Sequence, residues 1–132
     1  MAYIINTTTG DADDVSERRN TAESDQVIRR VDYSGSMSGQ PAESTMSAYL
    51  SKSAARPGAT GDEDPVMKAV ISASGVGATS ADAEQSASVN KSWLFPDGAL
   101  TLETGEALHS HYERHTATGG SARHEWTIWY TF

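Results

Sequence analysis

The strongest constraint on this chain is a period of two. From Gln26 onward, Val27, Arg29, Val31 and Tyr33 alternate with Ile28, Arg30, Asp32 and Ser34. The alternation returns at Met46-Ala48-Leu50, at Ala87-Val89-Lys91-Trp93-Phe95, at Leu100-Leu102, and in segments 108–116 and 124–132. Val66 to Ala73 is the most apolar run and also reads as a strand. Residues two apart share one face of an extended strand. Turn-forming clusters separate these segments: 35–41, 54–65, 75–84, Pro96-Asp97-Gly98 and Thr104-Gly105-Glu106. No stretch sustains a 3.6-residue period. About seven short strands are expected, the pattern of an all-β, single-domain β-sandwich.

The first 25 residues look different. They hold six acids (Asp11, Asp13, Asp14, Glu17, Glu23, Asp25), and after Tyr3-Ile4-Ile5 the one aliphatic larger than alanine is Val15. This composition predicts an N-terminal arm over 1–25 and a sandwich domain over 26–132. The apolar tip Tyr3, Ile4, Ile5 is then a candidate contact with a neighbouring subunit. Acids near the start of 13–21 would suit the first turn of a short helix.

The last two strands flank Thr118-Gly119-Gly120-Ser121, which reads as a hairpin loop. A two-residue turn would place His109, His111, Glu113 and His115 among Trp126, Ile128, Tyr130 and Phe132, burying polar groups at a cost. A three-residue loop shifts the register by one and inverts every side chain. Leu108, Ser110 and Tyr112 then join the apolar stripe, and Trp129 faces outward with His111 beside it. An outward tryptophan is a candidate subunit contact.

Charge excludes several functions. The chain has 18 acidic against 10 basic residues, a net charge of −8. Nucleic acid and anionic membrane are therefore not expected partners, since both recruit clustered Lys and Arg. No apolar run reaches transmembrane length, and the opening Met1-Ala2-Tyr3-Ile4-Ile5-Asn6 lacks the basic region of a signal peptide. There is no cysteine, hence neither disulfide nor thiolate site. Large aliphatics are scarce, alanine, serine, threonine and glycine are plentiful, and lysine is rarer than arginine. This composition resembles that of proteins from extreme halophiles. High salt strengthens apolar burial and screens carboxylate repulsion.

No catalytic set is legible. There is no Gly-x-Ser-x-Gly elbow, and Ser34-Gly35-Ser36-Met37-Ser38-Gly39 lacks the spacing of a phosphate loop. The chain is not expected to be an enzyme or to carry a cofactor. One alternative is metal binding by His109, His111 and His115, which share a strand face. The segment Gly105-Glu-Ala-Leu-His109-Ser-His111-Tyr-Glu113 resembles part of the cupin metal motif. It departs in placing the glycine too near the first histidine and the glutamate two residues after the second. A second alternative is a carbohydrate- or receptor-binding module in which Trp93, Trp126 and Trp129 stack on sugars.

The segment Leu100-Thr-Leu102-Glu-Thr-Gly105-Glu106-Ala-Leu108 resembles the apolar-x-apolar-x-x-Gly-acid-x-apolar corner of jelly-roll proteins, which include cupins, tumour-necrosis-factor-like trimers and viral capsid proteins. With its acidic, lysine-poor composition, the chain is similar in kind to a virion structural protein of a halophilic archaeal virus. That resemblance implies a capsid, vertex or decoration subunit located in the virion. Its partners would be copies of itself, as a trimer or pentamer, and other virion proteins.

Overall fold

Nine strands form two antiparallel sheets in the computed structural model, which describes residues 1–9, 15–40, 44–52, 66–73, 85–114 and 121–132. The strands are β1 (Ala2–Thr9), β2 (Val15–Thr21), β3 (Gln26–Gln40), β4 (Ser44–Ser51), β5 (Val66–Ala73), β6 (Gln85–Leu94), β7 (Thr101–Leu102), β8 (Ala107–Arg114) and β9 (Ser121–Thr131). The first sheet runs β1-β9-β3-β6, with β7 added on β3, and the second runs β2-β8-β4-β5. The protein is an all-β sandwich, as the alternation predicts.

Period two decides which side chains enter the core. Val31, Tyr33 and Met37 of β3, Trp126 and Ile128 of β9, and Ile5 of β1 are buried from the first sheet. Met46, Ala48 and Leu50 of β4, Met67, Ala69 and Ile71 of β5, and Leu108 and Tyr112 of β8 are buried from the second. Aromatic volume replaces the missing aliphatics. Trp126 lies 4.6 Å from Tyr33 and 5.9 Å from Trp93, ring centre to ring centre. Truncating a buried aromatic of this size costs about 3–5 kcal/mol.

Residues 2–9 and 15–21 do not form an arm outside the domain. They supply one strand to each sheet. β1 pairs with β9 over eight rungs, from Ala2 opposite Trp129 to Thr9 opposite Ala122. β2 pairs with β8, from Val15 opposite Tyr112 to Thr21 opposite Ala107. The suggested helix over 13–21 is therefore replaced, from Val15, by a strand. Ladder pairing with β8 overrides weak local helical preference.

The loop expected at 35–41 is also corrected. β3 continues through Gly35 to Gln40, paired with β9 on one side and β6 on the other. Gly35 is a packing glycine rather than a turn glycine. A Cβ there would overlap the Tyr33 ring and hydroxyl.

The final hairpin does not form. β8 lies between β2 and β4 in the second sheet, while β9 lies between β1 and β3 in the first. The expected parity holds for Leu108, Ser110 and Tyr112, which are inward, and for Trp129, which is outward, whereas Phe132, expected on the apolar stripe, is exposed. The two strands meet face to face across the core, where Trp126 Nε1 donates to the Tyr112 hydroxyl at 3.2 Å. Alternation specifies a strand's inner face but not its partner.

The corner around Gly105 explains its motif. Leu100, Leu102 and Leu108 are buried. Gly105 has φ +90°, in the region disfavoured for residues with a Cβ. Its N–H donates to the Ala22 carbonyl at 2.8 Å, and the Ala22 N–H donates to the Glu106 carbonyl at 2.9 Å. Glu106 accepts the Glu103 N–H at 2.7 Å and pairs with Lys52 at 3.0 Å.

Candidate functional site: the outer face of the first sheet

Odd-numbered residues of β1 point into the core and even-numbered ones point out, so Ile5 is 8% exposed and Ile4 58%. On β9, Trp126 and Ile128 are buried and Trp129 is outward, 44% exposed. Register sets Ala2, Trp129, Arg30 and Leu94 side by side across β1, β9, β3 and β6. Ile4 lies diagonally next to Trp129 on the same face, and Leu94 is 73% exposed. Together Ile4, Trp129 and Leu94 make a discontinuous apolar band across one end of this outer face.

Asp32 fixes the centre of the band. Its carboxylate accepts Trp129 Nε1 at 3.2 Å, the Ser92 hydroxyl at 2.6 Å and Arg30 Nε at 2.7 Å. Partial burial works to raise the Asp32 pKa. The hydrogen bonds from Ser92, Arg30 and Trp129, with the Arg30 charge, outweigh it and hold the carboxyl below its ordinary value. The indole is thus pinned in an outward position by a carboxylate on the neighbouring strand.

Beyond Asp32 the face turns polar. A shallow hollow of about 330 Å³ is lined by Asp32, Ser34, Asn90, Ser92, Glu125 and Thr127 among others. A second, of about 350 Å³, continues along Asn6, Thr8, Ser36 and Arg123.

The expected contact residues divide. Ile4 and Trp129 share the outer face. Ile5 is buried and Tyr3 packs half-buried against the core, with its ring 5.6 Å from Tyr130, so both serve this chain's own packing rather than an exposed tip. His111 does not flank Trp129. It sits on β8 in the other sheet, opposite Tyr49, and is 4% exposed. Leu94, Asp32 and Arg30 join the site without having been singled out. The period-two pattern placed them on one face, but the order of strands that unites them was not legible.

His109 and His111 share β8, and His115 lies outside the described residues. Among the described residues, no three His, Asp or Glu side chains gather as a metal-ligand set. Trp126 is fully buried and Trp93 is half-buried against the core, so of the three tryptophans only Trp129 is exposed. No known protein-family model matches the chain, and no curated protein matches its sequence.

Proposed function

We propose that this chain is a virion structural protein, a capsid, vertex or decoration subunit of a halophilic virus, that assembles through the outer face of its first sheet. The observation that carries subunit association is the band Ile4–Trp129–Leu94, with its indole held outward by Asp32. Exposed aromatic and aliphatic groups at one end of an otherwise polar sheet are what a protein contact desolvates. The strand order supports a jelly-roll reading. With the two-residue β7 set aside, β1-β9-β3-β6 facing β2-β8-β4-β5 is the interleaving that two Greek keys produce. The acidic, lysine-poor composition supports the halophilic setting.

Sedimentation of the purified chain in molar and in low salt tests this reading. Self-association in molar salt, weakened by Trp129→Ser, is the expected result. A chain that stays monomeric at every concentration in both salts overturns it.

The polar hollow beside Asp32 favours a second reading, a carbohydrate-binding module. Binding of glycans by the monomer, lost in Trp129→Ser and in Asp32→Ala, would establish that reading instead.

A further inference from the structure

Among the described residues each sheet ends in two edge strands: β1 and β6 in the first sheet, β2 and β5 in the second. Exposed edges invite pairing with another chain, and proteins blunt them with charge, proline or bulges. Three of the four edges are blunted here. β2 shifts register between Arg19 and Thr21, β5 carries Lys68, and β6 carries Lys91. The chain has three lysines, and two of them stand on edge strands. β1 reads AYIINTTT, with no charge, no proline and no register shift along its pairing with β9.

The free side of β1 is also ready to bond. Met1 donates its amino group to the Tyr130 carbonyl at 3.1 Å, and the Tyr130 N–H donates to the Met1 carbonyl at 2.9 Å. Met1 and Tyr130 are thus a hydrogen-bonded pair of the antiparallel ladder. Such pairs alternate along a strand. Tyr3, Ile5 and Thr7 therefore turn their backbone groups to β9. Ala2, Ile4, Asn6 and Thr8 turn theirs to the open edge, where the described residues place no strand.

We infer that β1 is a strand-addition edge that pairs antiparallel with β1 of a second copy of this chain. A two-fold axis through Ile5 sets Ala2 against Thr8 and Ile4 against Asn6, matching open-edge groups with open-edge groups. It makes on the order of eight hydrogen bonds and keeps each core face on the same side. No charged side chain enters the contact, in a chain whose net charge of −8 opposes self-association elsewhere. The contact is isologous, so one surface serves both partners. It rests on the proposed subunit role and deepens it: an edge contact of this kind joins one group of subunits to the next and extends the first sheet across the junction.

The test uses the full chain in molar salt, with sedimentation and amide hydrogen exchange across a concentration series. Ile4→Lys places a charge beside the edge. Asn6→Pro removes an N–H that faces the open edge while leaving the β9 ladder untouched. Both are expected to raise the dissociation constant of self-association about tenfold or more. In the wild type, the amides of Ile4, Asn6 and Thr8 gain protection as concentration rises, while those of Tyr3 and Ile5 are protected throughout. Circular dichroism confirms that a variant is folded. If Asn6→Pro fails to fold, the wild-type exchange pattern decides, because Ile4 also belongs to the outer-face band.

An oligomer whose Ile4, Asn6 and Thr8 amides exchange as freely as in the monomer overturns the edge contact and leaves the subunit role standing. A monomer at all concentrations overturns both. Protection of the edge amides only on adding an extended segment of a different protein overturns self-pairing.

Discussion

The Tyr33 hydroxyl lies 2.7 Å from His124 Nδ1, in a hydrogen bond buried in the core. The pair joins adjacent strands, β3 and β9, and the His124 ring also stacks on Tyr112 of the opposite sheet, 4.1 Å between centres. Tyr112 in turn accepts the Trp126 indole N–H. Two buried hydrogen bonds, Tyr33–His124 within the first sheet and Trp126–Tyr112 across the two sheets, thus pair four polar aromatic groups and reduce the cost of burying them in a core short of aliphatics.

This arrangement predicts an acid limit to stability. Burial pushes the His124 pKa down from 6.5 to about 4. The unfolded chain therefore binds a proton that the folded chain refuses. The contribution is fully present above pH 6.5 and is lost as pH falls toward 4, up to about 3 kcal/mol in all. Thermal unfolding between pH 7 and 4, at fixed salt, should show this limb. The double variant Tyr33→Phe/His124→Phe removes both partners of the hydrogen bond and should flatten the limb. An unchanged slope in that variant would place the acid sensitivity elsewhere.

Gly35 is the geometric partner of that bond. It stands opposite His124 in the ladder, and the Tyr33 side chain passes over it to reach the imidazole. Gly35→Ala is expected to cost about 1–3 kcal/mol, as overpacking does. The measurement is urea unfolding. Removing the ring with Tyr33→Leu should reduce the cost of the alanine. Tyr33→Phe should not, because the ring carbons Cζ and Cε1 also lie too close to the new Cβ.

That glycine shows where sequence reading stops. Alternation placed Trp126, Leu108 and Tyr112 inward and Trp129 outward, because parity is a property of one strand alone. Gly35 read as a loop residue because glycine more often marks a turn than a ring lying over a strand. The pairing of β8 with β2 and β4, rather than with β9, depends on surfaces far apart in the chain. So does the recruitment of β1 and β2 into the two sheets: β1 has the right alternation at Tyr3, Ile5 and Thr7, but its threonines and its acidic sequel hid it. The band Ile4–Trp129–Leu94 was half visible, as Ile4 and Trp129, and only strand order brought Leu94 beside them.

Asp32 is expected to position Trp129 more than it stabilises the fold. Its carboxylate is partly solvated, with the side chain 26% exposed, and exposed ion pairs contribute about 0–1 kcal/mol. Asp32→Ala should therefore shift the unfolding midpoint little while freeing the indole. Steady-state anisotropy of tryptophan fluorescence should fall, and self-association should weaken with it. In the wild type, stability linked to this lowered pKa is present at neutral pH and is lost as acid titrates the carboxyl, below the window in which His124 acts.

Salt should stabilise the chain, and the charge layout gives the sign. Local ion pairs such as Arg30–Asp32 and Lys52–Glu106 lose some attraction as salt rises, but surface pairs contribute little to begin with. The net charge of −8 is repulsive overall, and at 1 M ionic strength the Debye length falls to about 3 Å, removing most of that repulsion. Salting-out ions also strengthen burial of the small apolar groups that line this core. The unfolding temperature should rise from low salt to molar sodium chloride and rise further in equimolar sulfate. Screening alone predicts that the gain saturates near the point where repulsion is removed, whereas a burial effect keeps growing with concentration. A falling unfolding temperature would mean that the ion pairs, not the net charge, dominate the electrostatics of this fold.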